Sequence, residues 1–184
     1  MALTATVHRL EISVSDVDRG CYEQLDVRVA RHPSESGRYF WLMVLAYCLC
    51  YEEDLAFSKG GLSDADEPPL SVRDASTGVL RCWIDVGAPS AERLHRASKA
   101  AERVVLFTTV ERSLLEREAA SRKIHALEEI EVNLVALDLV ERLEARLAKH
   151  LRLELVRNSG VLYVTVDGSV LEGTISEIRL AARA

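Results

Sequence analysis

What the chain lacks narrows its class. No apolar run is long enough to cross a bilayer: the most apolar window, "YFWLMVLAYCLCY" at 39–51, is short and flanked by charge. The opening "MALTATVHRLEISV" has no basic segment followed by an apolar one, so no secretory signal is predicted and the expected compartment is cytoplasmic. The four cysteines, Cys21, Cys48, Cys50 and Cys82, match no zinc spacing. Without a signal segment they are expected to be buried free thiols, not a disulfide framework. "SKGGLS" lacks the spacing and the lysine of a phosphate loop, and no Ser-His-Asp arrangement is present. His8, His95, His125 and His150 form no i, i+4 pair and no metal spacing, and repeats, low-complexity segments and flexible linkers are absent. The formal charge of −6 argues against a protein that coats nucleic acid nonspecifically, while leaving room for a local basic groove.

What is present suits a globular α/β domain. Apolar residues make up 48% of the 184, enough for a full-sized core. Residues 2–14 and 21–31 alternate as two strands. A helix over 34–54 follows, with Ser34 as N-cap and Glu35 in its first turn; being apolar nearly all round, it belongs at the centre of a fold. "LAFSKGGL" reads as a short strand and "SDADEPP" as an acidic loop. Residues 70–87 read as a hairpin turning at 74–78. A helix with a Pro-Ser start and the apolar strand "RVVLFTT" complete a parallel crossover. A charged helix over 111–127, a strand, a helix opened by the capping pair Asp138 and Glu141, and three C-terminal strands finish the chain.

One residue resists this pattern. Asp85 lies inside an apolar strand between Ile84 and Val86, where an ionised carboxylate is costly unless something pairs with it. Trp83 and Asp85 share a face, and folding the hairpin places position 69 opposite Asp85 and Glu67 opposite position 87. One reading is a divalent-cation site, with Asp85, Glu67 (less favourably Asp66) and Glu35 as oxygen ligands for Mg²⁺ or Mn²⁺. The other is a buried ion pair with Arg93, Arg96 or Arg81. Glu92, Arg96, Lys99 and Arg103 recur at helical spacing as one polar, mainly basic stripe. A solvated face is its ordinary meaning.

The quoted segments "MALTAT", "ARHPSE" at 30–35, "DEPP" at 66–69, "WIDVG" at 83–87 and Pro89 with Arg93-Leu94 resemble the YaeQ family. The order helix, three strands, helix, strand resembles the PD-(D/E)XK, restriction-endonuclease-like superfamily. The resemblance implies a bacterial, single-domain protein over 1–184. It would have a nuclease-like core at 34–109, an N-terminal strand pair at 1–31 and further helices and strands at 110–184. It further implies a metal-dependent phosphodiesterase acting on nucleic acid, with Asp85, Glu35, Arg96 and Lys99 as catalytic residues and Asp85, Glu67 and Glu35 on the metal. The motif is degenerate, however. Pro69 stands where the metal-binding acid is expected, and Gly87 where the lysine of the acid-x-Lys element is expected. Arg96 occupies a place where relatives often carry lysine, but arginine is a poor general base. The alternative is a catalytically inactive nuclease-derived module that binds a protein partner or nucleic acid, with no membrane association.

Overall fold

The computed structural model describes residues 5–58 and 67–181. It is an α/β protein whose chain divides into two compact units, 1–49 with 135–176 and 50–134 with 177–184. No helix among the described residues is long and apolar enough to cross a membrane.

The first unit is built on β1 (Thr6–Asp16) and β2 (Cys21–Arg31), an antiparallel pair whose register sets Ile12 opposite Leu25. Alternation buries Leu10, Ile12 and Val14 and leaves Glu11 exposed and Ser13 half-buried, the period-two pattern of a half-buried strand. The C-terminal strands β8 (His150–Asn158), β9 (Val161–Val166) and β10 (Ser169–Arg179) extend this sheet, with β8 parallel to β1 and the others antiparallel to their neighbours. Both links in this meander are two residues long. Ser159, Gly160, Asp167 and Gly168 all have positive φ, the type I′ geometry that matches strand twist.

Helix α1 (Gly37–Leu49) is buried from Phe40 onward, in agreement with its all-round apolar sequence. It starts later than the composition of 33–36 suggests. Ser36, not Ser34, accepts the Tyr39 amide at 3.1 Å, so Glu35 lies before the helix. Helix α4 (Leu137–Glu144) packs in the same unit, and its expected capping pair does not form. Arg142 takes Asp138 at 2.7 Å and Arg38 takes Glu141 at 2.9 Å, so both acids serve ion pairs instead. A Cβ on Gly173 would fall 2.6 Å from Leu139 Cβ, which shows how closely α4 lies on β10.

The second unit contains β3 (Leu55–Phe57), β4 (Leu70–Arg73), β5 (Leu80–Val86), β6 (Arg103–Thr108) and β7 (Glu131–Val135). β3, β4 and β5 are antiparallel; β5, β6 and β7 run parallel. The turn between β4 and β5 is organised by Asp74, whose Oδ1 accepts from the amides and hydroxyls of Ser76 and Thr77. Those donors hold the Asp74 carboxyl well below the usual range.

Helix α2 (Ala91–Ala100) makes the crossover from β5 to β6, capped by the Ser90 hydroxyl on the Arg93 amide. It buries Ala91, Leu94 and Ala97 against a cluster that includes Trp83, Val104, Leu106, Leu115 and Ile130. The expected long helix over 111–127 is shorter: α3 spans Arg112–Ala119, followed by turns and a 3-10 turn at Leu127–Glu129. Ala126, with φ 46°, interrupts the helical path there. The part of "LAFSKGGL" and of the acidic loop that falls on 59–66, including Asp66, lies outside the described residues.

Candidate functional site: a locked aspartate and a basic helix face

Asp85 is held by its own neighbourhood. It sits in the last turn of pleat of β5 and is 3% exposed. Arg93 Nε donates to its Oδ2 at 2.5 Å, and Trp83 Nε1 donates to the same oxygen at 3.2 Å. The Val86 amide donates to Oδ1 at 3.1 Å. Trp83 reaches the carboxylate because residues two apart in a strand share a face. Arg93 reaches it because Ser90 starts α2 just after the strand, which aims the helix's third residue back at β5.

The arginine is equally engaged. Its Nη2 donates to the Glu67 carbonyl at 2.9 Å, and its guanidinium carbon lies 5.3 Å from the centre of the Trp83 ring, a cation–π contact. A cation in a helix's first turn opposes the macrodipole. Asp85 offsets that penalty, and Glu118 of α3 also accepts the Ala91 amide at 2.9 Å.

The other acids considered as ligands are occupied separately. The β4–β5 register sets Leu70 opposite Ile84, so Pro69 falls across from Asp85 and presents no oxygen side chain there. The Glu67 carboxylate is 54% exposed and pairs with Arg73 at 3.1 Å; only its carbonyl meets Arg93. Glu35 closes a local turn, accepting the His32 amide at 2.9 Å while its own amide donates to the His32 carbonyl. Burial pushes its carboxyl up, against the opposing pull of the His32 amide and the charges of His32 and Arg31. Gly87 has φ 84°, a left-handed conformation that would strain a lysine at that position.

Among the described residues the donor set does not fit Mg²⁺ or Mn²⁺. Asp85 already accepts three hydrogen bonds, one from a guanidinium, and the facing residue is proline. Among the described residues no three His, Cys, Asp or Glu side chains converge as a metal site.

Arg96 lies about 60° and Lys99 about 120° around α2 from Arg93, the residue that holds Asp85. They do not continue into Arg103 as the sequence spacing suggested. That residue opens β6 and forks onto Glu131, at 3.0 and 2.7 Å. Arg122, from the turn after α3, takes its place. With Glu92, His95, Arg96, Lys99 and Ala100 it lines a shallow hollow of about 320 Å³. Glu92 reaches Arg96 at 3.6 Å and Arg122 at 3.7 Å. His95 Nδ1 accepts the His125 amide at 3.2 Å, tying the Arg122 segment to α2. Partial burial lowers the His95 pKa, and the charges of Lys99, Arg122 and His125 lower it further, against a raising contact with the Lys123 carbonyl. Arg122 escaped the sequence reading because only the path of 120–125 brings it to α2.

The profile of the YaeQ protein family matches residues 1–175. The chain belongs to the YaeQ family. The "Uncharacterized protein YaeQ" of Escherichia coli (strain K12) is 36% identical over 108 residues, 59% of each chain, and that of Salmonella typhi is 36% identical over 107 residues, 58% of each. The matched stretch thus spans less than two thirds of the length of these relatives. Crystal structures of YaeQ proteins cover more. That from Pseudomonas syringae shares 30% identity with a TM-score of 0.83, over 95% of this chain and 96% of the other. That from Xanthomonas axonopodis pv. citri shares 28% with a TM-score of 0.85, over 97% and 100%. These relatives are bacterial, and their names assign no activity.

Proposed function

We propose that this YaeQ-family chain is a nuclease-derived module that binds nucleic acid without cutting it. The observation that carries the reading is the Asp85–Arg93 pair at 2.5 Å. A carboxylate that must ligate a cation cannot also be neutralised by a guanidinium and fenced by a tryptophan N–H. Pulling Arg93 away would leave a charge nearly without solvent and unpaired, a change costing about 3–5 kcal/mol. The order α1, β3, β4, β5, α2, β6 supports a restriction-endonuclease-like core in which the metal position has been converted to a structural pair. Pro69 across from Asp85 and the left-handed Gly87 support the same conversion, since both positions have lost the groups the cutting reaction uses. The cations of α2 support nucleic acid as the partner. Free thiols at Cys48, Cys50 and Cys82, all buried, support a reducing, cytoplasmic setting; Cys21 is only half-buried. Burial raises the Cys48 thiol to about 12 and Cys82 to about 11, which leaves both unreactive at neutral pH.

The test is a pair of measurements on highly purified protein: calorimetric titration with Mn²⁺, and incubation of single- and double-stranded DNA and RNA with Mg²⁺ or Mn²⁺. The expected result is no stoichiometric metal binding and no cleavage. Metal-dependent cleavage that disappears in Asp85→Asn, with the variant still folded by circular dichroism, overturns the reading. It would restore a phosphodiesterase with Asp85 on the metal.

A further inference from the structure

Strand β2 leaves one side of its backbone open. Among the described residues β1 is its single strand neighbour, and no hydrogen bond reaches its far edge between Tyr22 and Ala30. A monomer ordinarily protects such an edge with a short strand, a proline, a bulge or an inward charge. The middle of β2 has none of these. Its 11 residues pair with β1 in unbroken register, no proline interrupts them, and Leu25 and Val29 are buried. The charges are also poorly placed for two strands alone. The register sets Arg9 opposite Arg28 and Glu11 opposite Asp26, like-charged pairs in successive rows of the exposed face. Like charges directly opposite are destabilising. Arg9 forks onto Asp26 at 3.2 and 2.6 Å, and Arg152 reaches Glu11 at 2.9 Å, which relieves both acids. Among the described residues Arg28 and Glu23 are left without an ion pair, and the Arg31 Nε is buried without a hydrogen-bond partner.

We propose that β2 pairs edge to edge with the β2 of a second copy of this chain, antiparallel about a two-fold axis at Val27. In such a contact facing residues lie on the same side of the sheet, so their numbers sum to an even value. Centring on Val27 sets Asp26 opposite the second copy's Arg28 and Glu23 opposite its Arg31, and symmetry repeats each pair. On the buried face Leu25 meets Val29. The like-charged rows then meet their opposites: Arg9 and Arg28 continue into Asp26 and Glu11 of the second copy. Charge rejects the neighbouring registers. Centring on Asp26 or on Arg28 sets that residue against its own copy, and the latter also sets Arg31 against Leu25. Glu23, Asp26, Arg28 and Arg31 are thus symmetric in position about Val27 and opposite in sign. That self-complementarity selects a second copy, because a strand of unrelated sequence has no reason to match it. One strand edge is a small contact, so the dimer is weak and reversible.

The experiment is sedimentation velocity of the full chain at low salt, from about 1 to 100 µM. A reversible monomer–dimer equilibrium with a Kd of about 1–50 µM is expected. Arg28→Glu makes positions 26 and 28 both acidic, and Asp26→Lys makes both basic. Each variant should dimerise about tenfold or more weakly than wild type, while their equimolar mixture should recover a heterodimer within about threefold of wild-type affinity. That recovery is the decisive readout. Both side chains are exposed, and circular dichroism checks that each variant is folded. Val27→Cys tests the register: oxidation should give a covalent dimer, whereas Gln24→Cys should not cross-link, its two copies lying about 20 Å apart. A chain that stays monomeric throughout overturns the proposal and leaves the edge to a strand of another protein. A dimer that survives both charge reversals, a mixture that recovers nothing, or cross-linking through position 24 in place of 27 overturns it as well.

Discussion

Among the described residues two aspartates are almost wholly removed from water, Asp85 at 3% exposure and Asp16 at 0%, and their surroundings treat them differently. Both oxygens of Asp85 are satisfied, by Arg93, Trp83 and the Val86 amide. Asp16, the last residue of β1, accepts the Arg19 amide on Oδ1 at 3.2 Å, while its Oδ2 has no hydrogen-bond partner among the described residues. Arg157 lies near, with Nη1 3.8 Å from Asp16 and Nε 3.2 Å from Asp18, but its Nε is too poorly aligned to bond. Equal burial therefore conceals unequal pairing. A buried acid becomes structural when hydrogen bonds compensate for lost water, and burial alone does not tell whether they do.

The comparison is broken or sharpened by a graded series of ion-pair substitutions. The largest effect is expected for Arg93→Ala, which leaves Asp85 buried and unpaired; urea unfolding should show a loss of about 3–5 kcal/mol. An unaffected midpoint would mean that the pair contributes nothing and that Asp85 is free for other work. Next come two double-mutant cycles, Asp85→Asn with Arg93→Gln and Asp16→Asn with Arg157→Gln. The first should give a coupling of about 2 kcal/mol and the second roughly half of that, following the shorter and better aligned contact. Reversal of that order would break the comparison.

A half-exposed pair comes third. Arg103 holds the Glu131 carboxyl below its usual range, mainly through the forked hydrogen bond, against the opposing effect of burial. Because the folded value is depressed, this stabilisation is present above the ordinary glutamate value of 4.5 and is lost as pH falls through the folded value. Glu131→Gln should lower stability most at neutral pH and flatten the acid limb, its difference from wild type shrinking as pH falls through that window. Glu35 runs the other way. Its carboxyl is raised by burial, so its contribution favours the fold below 4.5 and disappears as pH rises through the folded value. The smallest effect belongs to the i, i+4 pair of exposed Arg112 and half-buried Glu116 at 2.7 Å, where Arg112→Ala should cost no more than about 0.5 kcal/mol.

Much of this could be read from residue order. Alternation in 21–31 predicts β2 with its observed bounds, and the strand–helix–strand pattern around α2 predicts a parallel crossover. The hairpin arithmetic that set position 69 against Asp85 agrees with the observed register. These features depend on local periodicity and turn chemistry, which neighbouring residues impose on one another. Helix ends were less legible. Ser34 and Ser36 are equally good caps by composition, and Asp138 with Glu141 has capping spacing. Arg142 and Arg38 recruit those two acids, the second from far along the chain.

Residue order did establish that Asp85 is anomalous, that proline stands at 69 and glycine at 87, and that α2 carries cations. It left three arginines as partners for one carboxylate and placed Arg103 in a stripe that it does not join. Folding chose Arg93, because the cap at Ser90 sets the phase of α2 against β5, and it brought Arg122 to Arg96 and Lys99 through a turn with no local signature. Charge identity is written residue by residue, but pairing depends on distance and direction in space. Those arise only when elements remote in the chain are packed together.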